Sequence, residues 1–395
     1  MRDVGTIVRG IRTPIIKEGD NLAQIVVDSV IKASKSENFQ FEDRDVIAIT
    51  EAVVGISEGN FATLDQIAKD IKNKLSSDHI GIVFPILSRN RFAVLLSAMA
   101  RATKKITLLS SYPSDEVGND ILYREDLRKY NINASSDVIS ENEYKEKFGH
   151  FKHLFTGVNM YEVYRDLVLK EGCEFEMVFS NKPETILDYT DTVINCDIHT
   201  RVETKERLLK YGAKKVLMMS EILNESVDGS GYSPYGLLGS NRSTEDKVKL
   251  FPRTGDILVN KVQELMKEKT GKTIEVMVYG DGAFKDPVGK IWELADPVVS
   301  PAYTSGLEGS PNEIKLKYFS ENKFKDLKGE ELNNAMREEI KAKDKELKGT
   351  MATQGTTPRR YTDLLGSLCD LTSGSGDKGT PVVLIQRYFT NYSND

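Results

Sequence analysis

The chain has 395 residues, of which 39% are hydrophobic and 29% charged, and its formal net charge is −6. This length allows two or three domains, each with its own core, and the acidic balance argues against a nucleic-acid-binding surface. No apolar run approaches the roughly 18 residues of a membrane span, and the first residues lack an apolar signal core, so we expect an intracellular, cytoplasmic protein.

Residues 1–78 alternate short apolar runs with helical patterns. Apolar residues recur at helical spacing from Leu22 to Val30, and Asp20 is the expected N-cap of that helix. The predicted elements here are strand Thr6–Val8, the helix from Leu22, strand Asp45–Thr50 and helix Leu64–Leu75.

From His79 the apolar runs become nearly continuous, and helical patterns separate them. Such runs are typical of a parallel sheet covered on both faces. We therefore expect an α/β domain, Rossmann-like or flavodoxin-like, over residues 79–222; no GxGxxG pattern follows its first strand, so nothing indicates a dinucleotide site. The predicted elements are strand His79–Ile86, helix Arg89–Thr103, strand Ile106–Ser111, helix Val158–Lys170, strands Phe175–Phe179 and Asp191–Cys196, helix Val202–Tyr211 and strand Lys214–Met219.

Residues 223–260 are rich in glycine and serine, and we expect an irregular segment there. Long irregular segments inside compact proteins are usually functional or mobile. The remaining predicted elements are helix Asp256–Lys269, strand Val276–Tyr279, strand Glu313–Tyr318, helix Glu330–Leu347, helix Tyr361–Leu371 and strand Pro381–Tyr388.

The turn Gly280-Asp281-Gly282 presents one carboxylate at the end of the strand Val276–Tyr279. Magnesium and manganese favour oxygen ligands and commonly bind through one or two carboxylates together with substrate phosphates. The pattern therefore marks Asp281 as a candidate metal ligand. A solvated aspartate in an ordinary turn has the same sequence pattern.

Several other polar groups follow predicted strands or helices. The glycine-rich turn Gly374–Gly379 exposes backbone N–H groups that suit a phosphate, although it lacks the Walker ending. Asp197 and His199 follow one strand of the α/β domain and Asp115-Glu116 another, where ligands of open parallel sheets bind. Three widely spaced cysteines, Cys173, Cys196 and Cys369, indicate neither disulfides nor a cysteine zinc site.

Taken in order, these segments resemble the gamma-glutamyl ligases that act on coenzyme F(420). The resemblance covers residues 1–78 and 226–395 and no single motif decides it. The matching residues are Pro14-Ile15-Ile16, Glu18 to Leu22, Asp45–Thr50, Glu58-Gly59, Gly236, Ser240-Asn241, Leu250-Phe251-Pro252, Asp281, Asp363, Leu365, Ser367, Gly374, Gly379 and Pro381–Leu384.

This resemblance implies an α+β ligase core, formed by residues 1–78 and 223–395, with the α/β domain of residues 79–222 inserted into it. It implies a homodimeric, GTP-dependent enzyme (ATP is the alternative) that uses Mg²⁺ or Mn²⁺. A small-molecule carboxylate would be activated as an acyl phosphate, and the amine of L-glutamate would attack it, with neither nucleic acid nor membrane as partner.

The site residues follow from the resemblance in the same way. Asp281 would bind the metal, with Gly282 beside it contributing at most its carbonyl. The nucleotide-binding residues would be Thr13, Pro14, Ile15, Ile16, Asn241, Gly374, Ser375, Gly376, Asp377, Lys378 and Gly379.

Four positions depart from the family pattern. Leu238 stands where a second metal-binding aspartate is expected, Ala52 and Ile56 replace two lysines, and Glu51 replaces a small hydroxyl residue. These departures leave two alternatives to the ligase: a non-catalytic paralogue that binds a nucleotide or anion, and an activity of the α/β domain that uses Asp115, Asp197 and His199 on a small molecule.

Overall fold

The computed structural model of the chain describes residues 3–89, 91–154, 156–280, 300–353, 360–372 and 377–393, together with the backbone of residues 284–285 and 292–293. The strands in these residues are β1 (Ile7–Ile11), β2 (Val46–Thr50), β3 (Phe61–Thr63), β4 (His79–Val83), β5 (Lys105–Ser110), β6 (Glu174–Phe179), β7 (Thr192–Asn195), β8 (Lys215–Met218), β9 (Asn241–Thr244), β10 (Lys247–Lys249), β11 (Glu275–Tyr279), β12 (Phe284–Lys285), β13 (Trp292–Glu293), β14 (Ala302–Tyr303) and β15 (Val382–Gln386).

The α-helices are α1 (Leu22–Glu37), α2 (Glu51–Ser57), α3 (Leu64–Leu75), α4 (Phe92–Arg101), α5 (Arg124–Lys129), α6 (Glu141–Lys147), α7 (Met160–Lys170), α8 (Arg201–Lys210), α9 (Gly255–Thr270), α10 (Leu316–Glu321), α11 (Gly329–Ala342) and α12 (Tyr361–Thr372). No helix within the described part of the chain is long and apolar enough to cross a membrane.

The chain divides into two compact units. The first unit contains residues 1–54, 254–280 and 299–395, and the second contains residues 55–253 and 281–298. Sheets and helices are mixed in this architecture, which is compatible with the expected α+β core.

The first unit is built on a five-stranded mixed sheet with the order β1-β15-β2-β11-β14. Strands β2 and β11 run parallel, whereas every other neighbouring pair is antiparallel. Both β2 and β11 are buried along their whole length, as expected for central strands. On one face, Leu365 and Cys369 of α12 pack into an apolar cluster with side chains of the sheet, including Met277.

The second unit contains a five-stranded parallel sheet with the order β6-β5-β4-β7-β8. Alternate residues of β4 enter two separate apolar clusters: Ile82 packs on one face, with α4 and α7, and Val83 on the other, with α8. The predicted parallel sheet over these residues is confirmed, because the near-continuous apolar runs serve two buried faces. A smaller antiparallel sheet, β3-β10-β9, belongs to the same unit.

Three local predictions were wrong. The expected strand Glu313–Tyr318 is replaced by helix α10, since a run this short fits both periodicities. Helix α1 is capped by Asn21, whose side chain accepts the Gln24 N–H at 3.3 Å, whereas Asp20 accepts the Lys17 N–H. The segment of residues 223–260 is not wholly irregular, because β9 and β10 pair within it.

Candidate functional site

Four strand termini meet at one end of the first unit's sheet, here called the ligase edge because the resemblance noted above assigns segments at this end to the ligase site. Ile11, the last residue of β1, lies opposite Val382, the first of β15. Thr50 at the end of β2 lies opposite Tyr279 at the end of β11, and the Thr50 N–H donates to the Pro381 carbonyl at 3.0 Å. The chain therefore leaves β1, β2 and β11, and enters β15, at the same edge.

The segment Thr13–Ile16 follows β1 at the ligase edge. The side chain of Ile15 is 88% exposed, whereas Ile16 is buried and anchors the segment. The Thr13 hydroxyl donates to the neighbouring Pro14 carbonyl at 2.8 Å. Exposed residues next to a buried anchor are suited to contact a ligand.

The segment Asp377–Gly379 reaches the ligase edge from the opposite direction, because it precedes β15. Asp377 and Lys378 are exposed, and Gly379 has a φ of 62°, a conformation that favours glycine. Of the predicted nucleotide-binding residues, Thr13–Ile16 and Asp377–Gly379 are thus brought to one edge. Gly374, Ser375 and Gly376 lie outside the described residues.

The predicted metal ligands Asp281 and Gly282 also lie outside the described residues. The strand that precedes them, β11, is described to its end, and Gly280 after it is buried. Among the residues that the structure describes, no group of three or more His, Cys, Asp or Glu side chains could hold a metal ion. A metal site is therefore not shown.

Two further positions singled out by the family resemblance, Leu238 and Asn241, lie in the second unit. Leu238 is 2% exposed and belongs to the apolar cluster on the α4 face of the parallel sheet. Asn241 is the first residue of β9, is half-buried and lies opposite Lys249. Two acids lie near Leu238 in the sequence. Asp228 pairs with Lys69, and Asp246 pairs with Arg101 at 2.7 Å, so each of these carboxylates already has a cationic partner.

A separate cleft of about 220 Å³ lies at the carboxyl ends of the parallel strands of the second unit. We call it the switch-point cleft, because β4 and β7 flank it and the direction in which successive strands are added to the sheet reverses between them. It is lined by Phe84, Ser111, Ser114, Asp115, Glu116, Asn181, Asp197 and Thr200.

Asp115 joins the loop after β5 to the loop after β4. One carboxylate oxygen accepts the Leu87 N–H at 2.8 Å and the Asn119 side-chain amide at 2.7 Å, and the other accepts the N–H groups of Val117 and Asn119. Burial raises the pKa of Asp115 to about 6, although these hydrogen bonds act in the opposite direction.

Glu116 and Asp197 fix the loop after β7. Glu116 accepts the N–H groups of Ile198 and His199 at 3.0 and 3.2 Å and pairs with His199 Nδ1 at 2.7 Å. Asp197 accepts the Thr200 hydroxyl at 2.5 Å and the Thr204 hydroxyl at 2.6 Å. The structure thus brings together Asp115, Glu116 and Asp197, as expected of residues at neighbouring strand ends.

Other lining residues were not predicted. Phe84, Asn181 and Thr200 carry no motif, although each closely follows a strand of the parallel sheet. Their positions after β4, β6 and β7 were the available signal, since neighbouring carboxyl ends share one edge.

Comparison with known proteins identifies the family. The family model described as F420-0:Gamma-glutamyl ligase matches residues 10–387, a range that includes both ends of the chain and the stretch between them. A search of curated proteins finds no match. Because the matched range is nearly the whole chain, this protein belongs to the F420-0:gamma-glutamyl ligase family.

Proposed function

We propose that this chain is a nucleotide-dependent ligase that joins a small-molecule carboxylate to the amine of L-glutamate. The observation that carries the proposal is the ligase edge, where two segments assigned to the nucleotide by family resemblance, the partly exposed Thr13–Ile16 and the exposed Asp377–Gly379, adjoin paired strand ends. Strand β11 ends at the same edge and precedes the candidate metal ligand Asp281.

In the proposed reaction, an oxygen of the substrate carboxylate attacks the γ-phosphorus of GTP, with ATP as the alternative donor. A P–O bond to the β-phosphate breaks, GDP leaves and an acyl phosphate forms. The amine of L-glutamate then attacks the acyl carbon, inorganic phosphate leaves and the amine loses a proton. The chain's contribution is to align attacker and leaving group and to place backbone N–H groups against the phosphates.

A divalent cation, Mg²⁺ or Mn²⁺, would neutralise phosphate charge. The described residues supply no ligand cluster for it. We assign the cation to Asp281, with the Gly282 carbonyl beside it, on the family resemblance alone. On the same resemblance we propose that Asn241 contacts the nucleotide, that the protein is a cytoplasmic homodimer, and that residues 79–222 form an inserted α/β domain. The parallel sheet, which lies within that range, supports the inserted domain.

Calorimetric titration with GTP and Mg²⁺ tests the proposal. We expect saturable binding that weakens by about tenfold or more in Asp281→Ala, because one carboxylate ligand to the cation is lost. Asp78→Asn is the matched control, since Asp78 is an exposed acid paired with Lys104 at the amino ends of the parallel sheet. Asn241→Ala, titrated in the same way, tests that residue's assignment. Absent binding, or equal binding by wild type and Asp281→Ala, contradicts the proposal.

A second candidate function is a non-catalytic paralogue that binds a nucleotide. Leu238 favours it, because a buried apolar side chain occupies the position of the second metal-binding aspartate. Phosphate release from GTP, measured with and without L-glutamate over a panel of carboxylic acids, separates the two. The ligase releases phosphate in an amine-dependent way, whereas the paralogue saturates without turnover.

A further inference from the structure

We propose that the switch-point cleft binds a small organic cation that carries one or more primary amines. This cleft lies wholly within the second unit and is independent of the proposed ligase reaction. Its volume of about 220 Å³ suits a ligand of the size of a short diamine.

The position of the cleft in the sheet is the first argument. Chain connections run from β4 outward to β5 and β6 on one side, and from β7 to β8 on the other. In open parallel sheets, the crevice outside the carboxyl ends at such a reversal is where ligands bind. The loops after β4, β5 and β7 all supply lining residues.

The charge of the lining selects the ligand. Three of its described residues, Asp115, Glu116 and Asp197, are acids, and none is Lys or Arg. Arg124 donates to Ser114 Oγ at 3.2 Å, but Asp120 pairs with its guanidinium at 3.1 Å. A cleft lined by one sign of charge concentrates ligands of the opposite sign and disfavours phosphates and carboxylates.

The arrangement of the acids argues against a metal ion as that cation. The described acids form no cluster that could hold a metal. The carboxylate oxygens of Asp115, Glu116 and Asp197 accept backbone N–H and hydroxyl groups of the surrounding loops, so each carboxylate is fixed in its own position. An extended molecule with ammonium groups can meet such separated charges, whereas a single metal ion needs convergent oxygens.

The neutral residues that line the cleft also suit a ligand with ammonium groups. The Ser111 hydroxyl donates to the Ser114 carbonyl at 3.0 Å, so its oxygen presents lone pairs as acceptors. An ammonium group has three donors and no acceptor, which matches this surface. Phe84, held with a φ of 53° by its N–H bond to Leu109 O at 2.9 Å, adds an aromatic side chain for methylene groups or for a cation.

NMR titration of the full chain with 1,4-diaminobutane tests the inference, with 1,4-butanediol and inorganic phosphate as neutral and anionic probes. We expect the diamine to bind more tightly than either, and its affinity to fall with added salt. In Ser114→Lys, a positive charge enters the cleft while the carboxylates remain, so the diamine affinity should fall by about tenfold. Glu116→Gln removes one charge and should weaken the diamine in the same direction.

Asp78→Asn is again the matched control, because it removes an acidic charge at the opposite edge of the same sheet, and its diamine affinity should equal that of wild type. Diamine binding no tighter than butanediol binding, preferential phosphate binding, or full affinity in a folded Ser114→Lys protein would overturn the inference. None of these outcomes bears on the GTP binding proposed above, because that proposal uses no residue of the cleft.

Discussion

The carboxyl group of Asp115 shows how one residue can link the shape of a loop cluster to pH. It is 6% exposed and accepts four hydrogen bonds, which join the loops after β4 and β5. Burial outweighs these bonds and raises its pKa from 3.8 to about 6. Asp115 therefore binds its proton more tightly in the folded protein than in the unfolded chain.

We expect the stability contribution of the Asp115 proton to be present below about pH 4 and lost as the pH rises to about 6. A pKa shift of about two units corresponds to about 3 kcal/mol of unfolding free energy. Urea unfolding of wild type and Asp115→Asn between pH 4 and 7 measures it. The difference between the two proteins should change over this range and be constant above it; parallel curves throughout would contradict the assigned pKa.

The packing of Leu238 conflicts with the metal-binding role that the family resemblance gives to its position. We expect that replacing it by aspartate does not rebuild a metal site, because its surroundings are apolar and bury the side chain. We expect Leu238→Asp to lower the unfolding free energy by about 4 kcal/mol or more, since an unpaired charge is buried.

The matched control is Leu238→Met, which keeps the volume and apolar character and should cost less than about 1.5 kcal/mol. Denaturant unfolding and Mg²⁺ titration of both variants provide the readouts. Tighter Mg²⁺ binding by a stable Leu238→Asp protein would show that this position still faces a metal site.

At the scale of single elements, the close packing of Ile186, in the 3-10 helix Pro183–Asp188, against strand β4 can be tested by substitution. A Cβ added at Gly81 would lie 2.5 Å from Ile186 Cγ1, so the absent side chain lets Ile186 approach the sheet. Gly81→Ala should destabilise the protein by about 1–3 kcal/mol through overpacking. In a chain that already carries Ile186→Ala, Gly81→Ala should cost less, because the clashing atoms are absent.

A double-mutant cycle by urea unfolding reads out this coupling. The Gly81→Ala cost should be smaller in the Ile186→Ala background than in wild type. Additive effects of the two substitutions would mean that the Thr190 side chain, whose Cγ2 would lie 3.0 Å from the added Cβ, and not Ile186, limits the space at β4.

The sequence predicts the elements of the parallel sheet well, because long apolar runs and helical repeats are local signals. Helix α3 has the predicted bounds, with Thr63 and Gln66 forming its capping box. The segment after Leu223 was predicted poorly, since its structure is tertiary. Buried Asn60 donates to the Tyr232 and Phe251 carbonyls and accepts from the Tyr232 N–H. No local sequence pattern predicts these long-range hydrogen bonds.

The candidate sites show the same difference between local signals, which the sequence reveals, and tertiary contacts, which it does not. Strand ends locate Asp115, Glu116 and Asp197, because periodicity places the strands and parallel order places their ends together. The pairing of Glu116 with His199 depends on which strands become neighbours. The order of the strands in the sheet, with β4 between β5 and β7, cannot be predicted from the spacing of residues.

For the whole molecule, the two proposals predict two different footprints in hydrogen exchange. GTP with Mg²⁺ should slow exchange at Arg12–Ile16 and Asp377–Gly379, because a ligand at the ligase edge orders exposed backbone there. The diamine should slow exchange at residues 111–117 and 197–200, which line or support the switch-point cleft.

Mass spectrometry of peptides from the full chain resolves these segments in one experiment, with Asp281→Ala and Ser114→Lys as the paired variants. Each variant should weaken one footprint and keep the other, since each ligand stabilises only the segments that it contacts. Protection of residues 111–117 by GTP would instead assign the nucleotide to the open parallel sheet. The acidic lining argues against that result, because three carboxylates repel a triphosphate.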